Sequence, residues 1–137
     1  MAYITINDLY NYIDKVNLQA FSDDYSIGQI DMTIINNICQ LASDKSDALV
    51  SSIYTVPFQG TIPVKIRTSA IIFACEMLYA RRITPEEKNP FKAEAEHWRQ
   101  ELMLINSGQL SLDAANRRVF TPIVSSLTRT RVDTNTF

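Results

Sequence analysis

The side chains that could do chemistry are few and poorly grouped. His97 is the one histidine in 137 residues, set in Glu94-Ala95-Glu96-His97-Trp98-Arg99, and a lone imidazole cannot build a multi-histidine metal site. It reads as a surface or interface residue beside an amphipathic face, with no catalytic role. Asp23-Asp24-Tyr25-Ser26-Ile27-Gly28 has the outline of a calcium loop. Counted from Asp23, however, the third and fifth ligand positions are Tyr25 and Ile27, and the twelfth is Ile34. Without the carboxylates and amides such a loop requires, the segment reads as a turn leading into a capped helix. The three glycines, at 28, 60 and 108, form no phosphate cradle. Cys39 and Cys75 stand apart inside apolar stretches, which suits small core fillers and not a disulfide framework or zinc module. An enzyme would need Asp23, Asp24, Glu94, Glu96 and His97 to converge from distant segments. The expectation is a protein that is not an enzyme and that uses neither cofactor nor metal.

The elements that position these residues follow from hydrophobic spacing. Thr5 can cap a first helix whose apolar Ile6, Leu9, Tyr10, Ile13 and Val16 fall on one face. Residues 22 to 29 are rich in turn formers and read as a loop. Asp31 is a good N-cap for a long second helix to about Tyr54, with Met32, Ile34, Ile35, Ile38, Leu41, Ala42, Ala48, Leu49 and Ile53 recurring near a 3.6 period. Its middle, Ser43-Asp44-Lys45-Ser46-Asp47, is polar and predicts exposure or a bend. Residues 55 to 63 hold two prolines and a glycine and form a connector. Pro63 then starts a third, nearly continuously apolar helix over Val64 to Ile83, the expected centre of the core. Thr84-Pro85-Glu86-Glu87 resembles a cap for a fourth helix carrying Phe91, Ala95, Trp98, Leu102 and Ile105, ending near Ser107 and stopped by Gly108.

Composition changes at that glycine. Residues 1 to 107 carry 9 Lys or Arg against 13 Asp or Glu, while the remainder carries 4 Arg against 2 Asp, so body and tail differ in sign. Eight of the residues from 108 to 137 are Ser or Thr, and Val119-Phe120-Thr121-Pro122-Ile123-Val124 followed by Ser125 to Arg131 mixes β-branched residues with arginines. That mixture fits an extended segment pairing with the edge of another protein. The chain thus divides into a helical domain, 1–107, and an extended C-terminal arm, 108–137. The fold class is mainly α, a bundle of about four helices whose arm can add short β structure. A formal net charge of −2 argues against general polyanion binding. The start, Met1-Ala2-Tyr3-Ile4-Thr5-Ile6, has no basic head or long apolar run, and the apolar stretch Ala70 to Cys75 stops at Glu76. Neither a signal peptide nor a membrane span is expected, which implies cytoplasmic synthesis with reduced thiols.

Several short features recur in a familiar order: Met1-Ala2-Tyr3-Ile4-Thr5, then Tyr54-Thr55-Val56-Pro57-Phe58, Pro63 before Ile71-Ile72-Phe73-Ala74-Cys75, and Leu78-Tyr79-Ala80-Arg81-Arg82. With Trp98 and Ser107-Gly108-Gln109-Leu110-Ser111-Leu112 they span about residues 1 to 112. In this the chain resembles the Mu-like prophage family of small head-to-tail connector, or adaptor, proteins of tailed bacteriophages. The resemblance implies a structural virion protein, made in the host cytoplasm, that sits at the head-to-tail interface. It would bind the portal ring at the capsid vertex and neighbouring copies of itself in a ring of about twelve. It would also carry a downstream neck or tail-completion protein, touch passing DNA at most incidentally and contact no membrane. On this reading Arg117, Arg118, Val119, Phe120, Ile123, Val124, Leu127, Arg129 and Arg131 form the portal- or neighbour-binding arm. Val56, Pro57 and Phe58 provide subunit contacts together with Arg81 and Arg82, a pair that equally suits the negative end of a helix. The alternative is a soluble helical regulatory or protein-binding module that forms no ring.

Overall fold

A computed structural model describes residues 2–82, 89–110 and 112. Five helices run in order among them: α1 (Ile6–Leu9), α2 (Lys15–Ser22), α3 (Met32–Val50), α4 (Val64–Ala80) and α5 (Lys92–Asn106). The fold is mainly helical, as expected, with the first expected helix divided in two. Asp14 causes the division: in extended backbone it accepts the Asn17 N–H at 2.9 Å and so starts α2 afresh. Leu9 and Ile13 remain buried on the stripe, whereas Val16 turns out to solvent. The α1 start is closed by the Asp8 carboxylate, which accepts the Thr5 N–H at 2.9 Å.

α3 begins where its cap predicts, Asp31 accepting from Thr33 and Ile34 N–H at 3.0 and 3.3 Å. It ends at Val50, and the chain then turns, with Ile53 and Tyr54 N–H returning to the Val50 carbonyl. α4 is the central helix, burying Ile66, Ala70, Ile72, Phe73, Ala74, Cys75 and Leu78. Each large apolar side chain removed from water in this way stabilises the fold by roughly 1.5–3 kcal/mol. The expected Thr84-Pro85 cap of α5 lies outside the described residues. Ahead of α5, Asn89 accepts from Phe91 N–H at 3.0 Å and donates to the Glu76 carbonyl at 2.9 Å. Gly108 at φ +87 closes α5, in a left-handed conformation that favours glycine.

α3 and α4 form the most extensive helix contact, with α5 packed on both and α1 and α2 each touching both; Ser46 meets Ser69 at mid-helix and Arg81, just past α4, bonds Asp24 ahead of α3, so the two helices run antiparallel. The ring of Tyr79 on α4 lies 4.5 Å from Phe21 of α2 and 5.4 Å from Phe91 at the start of α5, measured between centroids. These aromatic pairs close one end of the bundle. Among the described residues no helix is long and apolar enough to cross a membrane.

The polar middle of α3 differs from expectation, because Ser43, Ser46 and Asp47 face inward while Leu41 faces solvent. A buried polar group is tolerated when it is hydrogen-bonded. Ser43 donates to the Cys39 carbonyl and accepts the Tyr3 N–H at 3.0 Å. The Ser46 and Ser69 hydroxyls meet at 2.8 Å across the α3–α4 contact. The Asp47 carboxylate accepts the Tyr3 hydroxyl at 2.7 and 2.8 Å, and that hydroxyl oxygen accepts the Phe58 N–H at 2.8 Å. Three segments far apart in sequence are thereby joined at one oxygen. Burial first, and the Asp47 hydrogen bond second, raise the Tyr3 pKa. Burial likewise pushes the Asp47 carboxyl up, against the opposing hydrogen bond from Tyr3.

Two consequences are measurable by urea denaturation. Tyr3→Phe leaves both the Phe58 N–H and the Asp47 carboxylate without this partner, and should cost about 1–3 kcal/mol at neutral pH. Folded Asp47 holds its proton more tightly than the unfolded chain does, so its charge opposes folding as pH rises from about 4 through the raised value. Asp47→Asn should therefore gain on the parent protein as pH rises through that window, and lose the advantage on acidification. An unchanged difference across the window would contradict the assignment.

Candidate functional site

The residues singled out by sequence fall into three places. The connector after α3 holds Val56, Pro57 and Phe58, joined by a cis Val56–Pro57 peptide. Pro57 is exposed and Val56 half-buried, but Phe58 is only 4% exposed. Its ring lies 6.3 Å from Tyr3 and 6.1 Å from Tyr54, so it packs within the chain. Next to it, the Tyr54 hydroxyl accepts the Leu112 N–H at 2.9 Å. The chain past Gly108 thus returns to the core at Leu112, which is itself buried.

Arg81 and Arg82 follow α4 and are engaged inside the chain. Arg81 donates from Nε to the Phe21 carbonyl at 2.8 Å and from Nη2 to both oxygens of Asp24 at 2.6 and 2.7 Å. Arg82 donates from Nε to the Ala20 carbonyl at 3.1 Å and from Nη2 to the same Asp24. Hydrogen bonds from the two guanidinium groups, Arg81 first, hold the Asp24 carboxyl below the usual carboxylate range. The pair thus ties the end of α2 to the end of α4, leaving Asp24 exposed enough for salt to screen the interaction.

Asp23 performs a different task from its neighbour. Its two oxygens accept the N–H groups of Ile27 and Gly28 at 2.9 and 2.7 Å, which closes the loop between α2 and α3. Those backbone hydrogen bonds, Ile27 first, lower its pKa. The loop carries Tyr25 and Ile27 outward at 81% and 69% exposure. Sequence reading treated this segment only as a turn. The available signal was two large apolar side chains inside a run of turn formers.

Four of the five acidic and histidine residues that an enzyme would have to bring together, Asp23, Asp24, Glu96 and His97, have other partners. Asp23 and Asp24 serve the loop, Glu96 pairs with Arg99, and His97 lies exposed with Nε2 at 3.7 Å from Glu101. Among the described residues no group of three or more His, Cys, Asp or Glu could hold a metal ion. Cys39 and Cys75 are buried free thiols, pushed up to about 11 and about 12, chiefly by burial. The arm residues Arg117, Arg118, Val119, Phe120, Ile123, Val124, Leu127, Arg129 and Arg131 lie outside the described residues. What the described residues offer is surface: an anchored loop at one end of the bundle and a connector at the other.

A family model described as "Bacteriophage Mu, Gp36" matches residues 3–122, a span that takes in all five helices. No curated protein matches the chain.

The burial of Phe58 gives a direct expectation. Phe58→Ala should lower the unfolding free energy by about 3–5 kcal/mol, the range for emptying a buried aromatic position. Thermal or urea denaturation of the isolated chain measures it. A loss under about 1 kcal/mol would instead assign the ring mainly to contacts between chains.

Proposed function

The chain belongs to the bacteriophage Mu Gp36 family, and from that premise we propose that this Mu-like phage protein is a structural component of the virion, a head-to-tail adaptor with no catalytic activity. In this role it binds the portal ring at the capsid vertex, packs beside copies of itself in a ring and offers a platform to the neck or tail-completion protein. The single observation that carries the reading is the family match across residues 3–122. The physical character of the chain supports it. A helical body held by buried hydrogen bonds keeps its outer surface in fixed positions, which lowers the entropy lost on docking.

The sequence beyond Leu112 supports a division of labour. It combines four arginines with Val119, Phe120, Ile123, Val124 and Leu127, whereas residues 1 to 107 are net acidic. A basic, β-branched segment suits capture by a partner through main-chain pairing and charge. We assign it to the portal or a neighbouring copy, and assign Val56 and Pro57 to the contact between subunits. Arg81 and Arg82 act there through the loop they anchor.

The decisive experiment mixes the purified chain with its phage's portal ring and images the product. A symmetric ring of copies on the portal is expected, with residues 113–137 running along the portal or the next copy. Removing residues 117–137 should abolish attachment while the helical circular dichroism of the body persists. Undiminished attachment would overturn the role given to the arm. A chain that stays free beside intact portal would favour a helical binding module that forms no ring.

A further inference from the structure

The chain at the end of α5 is pinned to the body at successive points. The Asn106 side chain accepts the Ser52 N–H at 2.9 Å, which ties the end of α5 to the turn after α3. Gly108 then reverses the chain at φ +87, and Gln109 and Leu110 return their N–H groups to the Leu104 carbonyl at 3.0 and 3.4 Å. Leu112 makes the last of these attachments. Its side chain is 9% exposed, and its N–H donates to the Tyr54 hydroxyl oxygen at 2.9 Å. The first arginine of the arm, Arg117, follows five residues later.

Tyr54 is itself firmly placed. Its N–H returns to the Val50 carbonyl at 3.0 Å, and its ring, 1% exposed, lies 6.1 Å from Phe58, which in turn lies 6.3 Å from Tyr3. Phenylalanine would pack the same ring. Tyrosine adds an oxygen, and that oxygen meets a backbone amide from beyond the last helix, where a buried amide without an acceptor would be costly. The Tyr3 hydroxyl does the same for the Phe58 N–H and rests on Asp47. The N-terminal segment, the connector and the chain after α5 therefore meet in one aromatic cluster beside the exposed Pro57.

We infer that Tyr54 is a positioning residue for the C-terminal arm: by holding Leu112 it fixes the point from which the rest of the chain leaves the body, on the side of the connector. The inference rests on the binding role proposed above for the arm and names what sets its root. A fixed root limits where a partner can be met. At no more than about 3.6 Å per residue, Arg117 can reach about 18 Å from Leu112 and Val119 about 25 Å. The partner surface they engage must then lie close to the connector. A root ordered in advance also spares the partner the entropy of ordering it on docking.

Two measurements on the full chain test this. In amide hydrogen exchange followed by NMR, Tyr54→Phe keeps the ring and removes the acceptor, so the Leu112 amide should exchange about ten-fold faster, a larger gain than that of Ala70 and Ala74 in α4. Should that variant lose its helical circular dichroism, Leu112→Ala makes the same cut from the side of the arm. In portal capture, Tyr54→Phe with parental circular dichroism should bind about ten-fold more weakly, since the partner must order the root again. Ser46→Ala, which removes a buried hydroxyl elsewhere, should be captured like the parent. A Leu112 amide that exchanges in the parent as fast as an unfolded one overturns the inference, and so does capture undiminished by Tyr54→Phe or equally weakened by Ser46→Ala. If portal does not capture the parent chain, the adaptor role falls, and the exchange of Leu112 alone decides whether Tyr54 holds the root.

Discussion

A carboxylate taken out of water must be met by donors, and the way Asp47 is met organises much of this molecule. Tyr3 supplies the donor, and the same hydroxyl oxygen accepts the Phe58 N–H. The N-terminal segment, α3 and the connector after it are therefore referenced to one point. Apolar burial is non-directional and would tolerate many rotations of α4, which is apolar around most of its surface. Hydrogen bonds are directional, and the Ser46–Ser69 pair fixes where α4 sits along α3. The core supplies the driving force, and the inward polar row of α3 selects one arrangement.

At the opposite end two consecutive aspartates divide the work by reach. Asp23 points back into its own loop, and Asp24 points out to the guanidinium groups at the end of α4. Their pH response has the opposite sign to that of Asp47. Both carboxyls are lowered, so their anchoring is fully present above the ordinary carboxylate value and is lost only as pH falls below it, through the lowered values. Asp47 is raised, so acidification favours the fold at that site. Mild acid thus relieves the buried carboxylate and leaves the loop end anchored, and only stronger acid loosens the loop, which separates surface presentation from core stability.

Local rules made part of this legible in the sequence. The Asp31 cap, the apolar α4 and the Gly108 stop each depend on residues within a few positions of one another. The break at Asp14 was missed because an unbroken apolar stripe outweighed a single capping side chain. Ser43, Ser46 and Asp47 were read as outward because periodicity counts polarity, whereas their partners, Tyr3 and Ser69, lie 40, 44 and 23 residues away. The same distance hid the burial of Phe58 and the binding of Arg81 and Arg82 to Asp24. The kinship with Mu-like phage proteins was legible in the order of several weak features over about residues 1 to 112, and the family model matches residues 3–122.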